Sequence, residues 1–262
     1  MILHDIVQAK RADLEELKRR FPLHRLKEAA EARERTDVRS FQQAIAVPRG
    51  LRLICELKKA SPSHGIICED FQPLRLAGLF EYAGAAALSV LTETRYFKGR
   101  PSYLRIVRQV TTIPIMRKDF IFESYQLYET ALLEADAFLL IASLLTDAEL
   151  ADLIALGRRL KMDALVEVHS EDDLKKALGA GATIVGINNR NLKTMQVEVQ
   201  TAKRLLGRIP KEVCVVIESG LSKHDELMEY KSLGVNAFLI GTAVMKSPDP
   251  VRTIRDLGGL QR

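Results

Sequence analysis

The stretch RLICELKKASPSHG, residues 52–65, joins an apolar strand pattern to a charged end. Side chains alternate between the two faces of a strand, so Glu56 and Lys58 share one face. Burying a carboxylate and an ammonium is costly unless the two groups have a use. An ordinary ion pair at the wet end of a strand explains this stretch equally well when it is taken alone. The rest of the chain decides between the two interpretations.

Outward from this stretch, short apolar runs alternate with amphipathic ones. The runs predict strands near residues 51–58, 86–91, 113–118, 136–141, 163–168, 183–188, 213–218 and 236–240. Helical patterns between them cover 72–83, 124–134, 146–160, 171–179, 198–206 and 223–232. Strands rich in Val, Ile, Leu and Ala that alternate with helices indicate a parallel sheet covered by helices. Eight such units predict an α/β fold of the closed (β/α)8 TIM-barrel type. No glycine-rich dinucleotide fingerprint supports the alternative, an open doubly wound sheet.

Residues 1–47 precede the first predicted strand and have helical patterns. One apolar stripe is followed by an interruption at Pro22 and by two shorter patterns. We expect a single barrel domain over 1–262 with residues 1–47 as an N-terminal helical extension. This extension would lie across an end or a side of the barrel, or it would form a dimer contact.

Composition narrows the functional class. The chain of 262 residues is 47% hydrophobic and carries a net charge of +5, but its basic residues are mixed with acidic ones. This mixture favours attraction of a small anion over binding of nucleic acid. Three cysteines without CxxC spacing argue against a disulfide framework or a zinc site. With no signal-peptide core and no apolar run long enough to span a bilayer, a cytoplasmic protein without membrane association is expected.

Polar residues at the ends of the predicted strands are the candidates for chemistry, because barrel enzymes work at the carboxyl ends of their strands. Glu56, Lys118, Glu167 and Glu218 end the first, third, fifth and seventh strands. Alternate strands fill one layer of a barrel, so we expect these side chains to converge. Lysines that face carboxylates shift one another's pKa values, as a general acid and a general base require. Asn188 ends the sixth strand at the same rim.

Small residues follow the seventh and eighth strands, at 219–221 and 241–243. In barrels these two loops commonly hold a phosphate, although Gly220 and Gly241, like Gly186, also suit plain turns. After the second strand, Tyr96 and Phe97 either cover a ring-bearing substrate or are simply buried. No HxH or HExxH spacing points to a catalytic metal, and His169 has no serine or cysteine partner along the chain.

Seven segments together resemble the indole-3-glycerol phosphate synthase family. In chain order they are ELKKASPSHG, LSVLTETRYFKG, PIMRKDFIF, ALVEVHS, GINNRNLKT, VIESGL and FLIGTAVM. The stretches IVQAKRADLEEL and RSFQQAI are similar to the leading helices of that family. The resemblance implies a carboxy-lyase of tryptophan biosynthesis that acts without a cofactor or an obligate protein partner. Its substrate would be 1-(2-carboxyphenylamino)-1-deoxyribulose 5-phosphate, which closes to indole-3-glycerol phosphate with loss of carbon dioxide and water.

The resemblance also implies roles for individual residues. Lys118 would protonate the ketone oxygen, and Glu167 with Lys58 would handle the dehydration, although which lysine serves which step stays open. Glu56 would orient both lysines, and Asn188 and Glu218 would hold substrate hydroxyl or amine groups. The phosphate positions match Ser61, Arg190, Ser219, Gly220, Gly241 and Thr242. The walls around the aromatic ring match Phe97, Phe120 and Leu192. His64 stands where the family usually has lysine, which puts a charge contact or loop-closing role of this residue in doubt.

Three alternatives stay open at this stage. A phosphoribosylanthranilate isomerase would need a Cys and Asp pair, and Cys55 is predicted to face outward. A Schiff-base aldolase would use Lys118 or Lys58. A non-catalytic module would bind a phosphorylated metabolite without turnover.

Overall fold

The computed structural model describes residues 2–47, 50–189 and 200–260. Its parallel strands form a closed barrel in which each strand pairs with its sequence neighbours and β1 pairs with both β2 and β8. The barrel strands are β1 Leu53–Leu57, β2 Ala87–Leu91, β3 Ile115–Lys118, β4 Ala137–Ile141, β5 Asp163–Val168, β6 Ile184–Asn188, β7 Cys214–Glu218 and β8 Ala237–Ile240. The predicted TIM barrel is confirmed, and each observed strand lies inside its predicted range.

Helices cover the barrel and precede it. They are α1 Ile2–Arg20, α2 Leu23–Ala32, α3 Phe41–Ile45, α4 Pro73–Tyr82, α5 Tyr103–Arg108, α6 Ser124–Leu132, α7 Asp147–Arg159, α8 Glu171–Gly179, α9 Gln200–Leu206, α10 His224–Ser232, α11 Thr242–Met245 and α12 Pro250–Gly258. A two-stranded hairpin, Ala60–Ser61 with Gly65–Ile66, follows β1. The sequence did not predict α5, because six residues are fewer than two turns and show no measurable helical period.

The amino-terminal end of the barrel is filled by apolar side chains. Phe41 and Ile45 of α3 are fully buried and cluster with the alanines that begin β2, β4 and β8. The backbone N–H of Gln42 donates to Oδ2 of Asp163, the first residue of β5, at 2.9 Å. The small alanine side chains leave room at this end of the barrel for Phe41 and Ile45. Helix α3 therefore closes the amino-terminal end, and a site can form at the carboxyl ends of the strands.

The leading helices run from one end of the barrel to the other. Helix α1 lies at the carboxyl ends of the strands, where Lys10 meets Asp119 and Asp13 pairs with Arg95. Helix α2 packs beside α6, and α3 closes the amino-terminal end. The described residues of this segment therefore lie across the ends and along one side of the barrel.

Candidate active site

A cavity opens to solvent at the carboxyl ends of the strands, where barrel enzymes bind their substrates. It is lined by every predicted site residue in the described part of the chain: Glu56, Lys58, Ser61, Phe97, Lys118, Phe120, Glu167, Asn188, Glu218, Ser219, Gly220, Gly241 and Thr242. The other two predicted site residues, Arg190 and Leu192, lie outside the described residues.

Charged side chains from the odd-numbered strands meet in one layer. The ammonium of Lys118 lies 3.1 Å from Oε2 of Glu167 and 3.2 Å from Oε2 of Glu218. Glu56 lies on β1 and Lys58 directly follows this strand. The Nζ of Lys58 donates to Oε1 of Glu56 at 2.6 Å. Asn188 Nδ2 completes the layer by donating to Oε1 of Glu167 at 3.1 Å. The expected convergence of these residues is what the structure shows.

One glycine on β6 and one directly after β8 make room for these carboxyl groups. A Cβ atom added at Gly186 of β6 would overlap Oε1 of Glu218. One added at Gly241 would come within 2.5 Å of Oε1 of Glu56 and 3.0 Å of the Lys58 ammonium. From the sequence, Gly241 was expected to hold phosphate or form a turn, and Gly186 was expected only to form a turn. Both glycines belong to the site because larger residues would displace its charges.

The protonation of the layer follows from its burial and its charge. Burial alone lowers the pKa of Lys118, but the carboxylates of Glu167, Glu218 and Glu56 outweigh it and raise that pKa. Burial raises the pKa of Glu218 to about 8, with Lys118 opposing it only in part. For Glu167, burial is outweighed by Lys118 and the pKa is lowered. Burial therefore favours the protonated form of Glu218, and the surrounding negative charge favours the charged form of Lys118.

A histidine that sequence reasoning left without a role also reaches this layer. His169 Nε2 lies 3.3 Å from Oε1 of Glu167, although the geometry falls short of a hydrogen bond. Its spacing of two residues from Glu167 was the available signal, because residues i and i+2 of an extended strand share a face.

The predicted phosphate residues line one side of the cavity. Ser219 and Gly220 have φ angles of 65° and 85°, so the chain turns sharply after β7. Asn189 Nδ2 donates to the carbonyl of Ser219 at 3.1 Å and anchors this turn. The hairpin after β1 brings Ser61 and His64 to the lining of the same cavity.

An apolar wall faces the charged layer. The rings of Phe97 and Phe120 lie 6.2 Å apart between centroids and are tilted by 43°. The loop that carries Phe97 is held by the buried carboxylate of Glu93, which accepts the backbone N–H groups of residues 95–97 at 2.7 to 2.8 Å. The site therefore combines a charged layer, an apolar wall and a turn of small residues.

Cys55 lies on the outer face of β1, away from the cavity, and is fully buried. Burial raises the pKa of its thiol to about 12, so it holds its proton at neutral pH. The position and the pKa both argue against Cys55 as the base of an isomerase.

Two absences hold for the described residues. Within them, no group of three His, Cys, Asp or Glu side chains could hold a metal ion. None of the helices in the same part of the chain is long and apolar enough to cross a membrane.

Comparisons with solved structures reflect the fold. The chain matches a structure named KGPDC from Streptococcus mutans with a TM-score of 0.63 and 14% identity, covering 81% of this chain and 97% of that one. It matches 3-hexulose-6-phosphate synthase from Salmonella typhimurium with a TM-score of 0.62 and 13% identity, covering 80% and 98%. At such identities these likenesses show the barrel alone.

Sequence comparisons are more specific. The family model for indole-3-glycerol phosphate synthase matches residues 3–257. An indole-3-glycerol phosphate synthase from Lachnoclostridium phytofermentans is 39% identical, covering 99% of this chain and 100% of the relative. One from Leptothrix cholodnii is 42% identical, with 95% of each chain covered. On this match across nearly its whole length, the chain belongs to the indole-3-glycerol phosphate synthase family of carboxy-lyases.

Proposed function

We propose that the residues lining the cavity catalyse closure of the pyrrole ring of indole-3-glycerol phosphate, and that each has a distinct role. Lys118 protonates the ketone oxygen of 1-(2-carboxyphenylamino)-1-deoxyribulose 5-phosphate while the ring carbon that bears the carboxylate attacks the ketone carbon. The observation that supports this role is the position of the Lys118 ammonium between Glu167 and Glu218, beside the aromatic wall. Because its pKa is raised, Lys118 enters the reaction charged and can give up a proton as negative charge develops on the oxygen.

Loss of carbon dioxide then restores the aromatic ring, and the former ketone oxygen leaves as water. For this second stage we propose Lys58 as the acid that protonates the leaving hydroxyl and Glu167 as the base that accepts the proton lost from the adjacent CH2 carbon, so that the ring double bond forms. Glu56 holds Lys58 at 2.6 Å, and Asn188 holds Glu167 at 3.1 Å, so both groups are oriented before the substrate arrives. Such preorganisation is a main source of catalytic power.

The ends of the substrate fit the two remaining parts of the cavity. We propose that Phe97 and Phe120 form the dry wall for the anthranilate ring. The phosphate would sit against the turn of Ser219 and Gly220 and near Gly241, with Thr242, Ser61 and Arg190 as further contacts, and Leu192 would extend the ring wall. His64 would contribute a hydrogen bond from the rim rather than the permanent charge of a lysine.

We further propose that one chain suffices for this function, as a single domain over 1–262 in the cytoplasm and without an obligate partner. Support comes from the described site residues, all of which line one cavity. The three cysteines are free thiols, as suits a reducing compartment.

Product formation tests the proposal directly. Purified protein incubated with the carboxyphenylamino substrate should produce the fluorescence of an indole. Lys118→Ala should abolish it, whereas Lys203→Ala should not, because Lys203 lies on α9 and pairs with Glu229 at the surface. Absence of product from folded wild-type protein would overturn the proposed function.

A further inference from the structure

Helix α1 lies outside the barrel, yet one of its side chains reaches the back of the active-site cavity. The Nζ of Lys10 donates to Oδ2 of Asp119 at 2.7 Å. The side chain of Asp119 is 0% exposed and that of Lys10 is 11% exposed. Removing both charges from water is costly. This contact is therefore a buried ion pair, which differs from an exposed surface pair in its strong dependence on geometry.

Asp119 is the meeting point of three elements. Besides Lys10, its Oδ2 accepts hydrogen bonds from Thr92 Oγ1 at 2.6 Å and from Arg117 Nη2 at 2.9 Å. Its Oδ1 accepts the backbone N–H of Phe120 at 2.9 Å. The carboxylate therefore ties α1 and the end of β2 to the backbone that leaves β3.

The charges in this cluster balance and leave the carboxylate ionised. Although burial opposes it, the positive charges of Lys10 and Arg117 lower the pKa of Asp119 to about 2. Arg117 pairs on its other side with Glu129 of α6 at 2.7 Å. A carboxylate with so many partners holds one geometry, because each hydrogen bond to it restricts the others.

Asp119 is adjacent in sequence to two residues of the proposed active site, so its fixed position affects theirs. It stands between Lys118, the proposed acid, and Phe120, part of the proposed ring wall, and it lines the same cavity. A shift of the backbone at Asp119 would move the ammonium and the aromatic ring together. Near-attack geometry tolerates little displacement, and a misplacement of about 1 Å can cost about 100-fold in rate.

We infer that Asp119, held by Lys10 of α1, is a positioning residue that sets the Lys118 ammonium and the Phe120 ring for ring closure. The inference rests on the proposed function, since it assigns a purpose to residues behind that site. It makes α1 part of the active-site architecture through one buried ion pair.

Lys10→Met tests this role, with Lys18→Met as a matched control. Lys18 lies on the same helix and also bridges to the loop after β3, pairing with Glu123 at 2.7 Å, but its partner is remote from Lys118 in the chain and Lys18 is more exposed. At a temperature where all variants are folded, Lys10→Met should lower kcat by about 10- to 100-fold. Lys18→Met should leave kcat unchanged, and Lys10→Arg should restore most of the activity because it keeps the charge.

A binding measurement separates positioning from a merely structural role. The probe is the borohydride-reduced substrate, which keeps the anthranilate ring and phosphate but has an alcohol in place of the ketone. Because Phe120 contributes to the ring wall, Lys10→Met should raise the Kd of this probe, whereas Lys18→Met should not. Unchanged kcat and Kd in folded Lys10→Met, or equal losses in the two lysine variants, would overturn the inference.

A second variant, Thr92→Val, covers the case in which Lys10→Met does not fold. This substitution removes a different hydrogen bond to Asp119 at 2.6 Å and leaves α1 unchanged. A lower kcat in that variant supports the inference, and an unchanged kcat overturns it. Wild-type protein that makes no product would instead count against the proposed function, so the two failures are distinguishable.

Discussion

Arg117 and Lys118 are neighbours on β3, yet they lie in two different kinds of buried charge cluster. Arg117 points out of the barrel and is 1% exposed. Its guanidinium donates to Glu129, Asp119, Thr92, Thr130 and the carbonyl of Gln126. Lys118 points inward, is 15% exposed and lies beside two carboxylates at 3.1 and 3.2 Å. We call the first set, with Lys10, the outer network, and Glu56, Lys118, Glu167 and Glu218 the inner layer.

The difference between the two clusters lies in how completely their polar atoms are satisfied. In the outer network the guanidinium has partners on several sides. In the inner layer, Oε1 of Glu218 is buried without a hydrogen bond, and so is Nε2 of the adjoining His169. Unsatisfied buried polar groups are costly and are tolerated where a ligand will use them. The outer network therefore supports the strand, and the inner layer is prepared for a substrate.

The largest effect on activity is expected at the inner layer. Lys118→Met should lower kcat/KM by about 10²- to 10⁴-fold, because general acid catalysis contributes that much. The fold should persist, since the cavity admits water to the vacated position. Steady-state kinetics measure the rate, and chemical denaturation measures the stability. A near-normal kcat/KM would show that the Lys118 ammonium is not needed for the chemistry.

The largest effect on stability is expected at the outer network. Arg117→Met should lower the free energy of unfolding by about 3–5 kcal/mol. The substitution leaves the buried carboxylate of Asp119 with fewer partners and removes the ion-pair partner of Glu129. Urea denaturation measures this loss. If Lys118→Met destabilised the protein more than Arg117→Met does, the division into support and chemistry would be wrong.

A smaller effect on rate is expected from the glycines that shape the inner layer. Gly186→Ala should lower kcat by about 10- to 100-fold, since its Cβ would push Glu218 away from Lys118. Gly179→Ala is the matched control, because a Cβ at that position on α8 meets nothing within 4 Å. Equal kcat values for the two alanine variants would show that Glu218 has room to move without consequence.

The smallest effect is a gradual dependence of stability on pH. The folded-state pKa of Glu218 is about 8 against an ordinary value of 4.5, so between these values the folded protein binds a proton that the unfolded chain does not. Its contribution to stability is therefore present at low pH and is lost as pH rises through 8. Relative to Glu218→Gln, the wild-type free energy of unfolding should fall by on the order of 1 kcal/mol per pH unit between pH 6 and 7.5. A pH-independent difference would contradict this protonation state.

Local patterns in the sequence account for the parts of the site that were predicted. Strand periodicity places Glu56 and Lys58 on one face, and the alternation of strands with helices places Lys118, Glu167 and Glu218 at one rim. These inferences needed only the period of a strand and the rule that barrels work at their carboxyl ends. The position of the loops after the seventh and eighth strands indicated a phosphate site, and the family resemblance added Ser61, Phe120 and Leu192.

Contacts between distant segments account for what was missed. The partners Lys10 and Asp119 are 109 residues apart, and no local pattern joins them. The role of Gly186 depends on the side chain of Glu218 on the neighbouring strand, which only the register of β6 and β7 reveals. Sequence periodicity describes one element at a time, so pairings of this kind require coordinates.

Whether Lys118 protonates the ketone oxygen is decided by a crystal structure with the borohydride-reduced substrate. The alcohol of that compound keeps the oxygen at the reacting carbon. The Lys118 ammonium should lie within about 3 Å of this oxygen, with the ring against Phe97 and Phe120. Finding Lys58 at that oxygen instead, with Lys118 out of hydrogen-bonding range, would overturn the proposed role of Lys118.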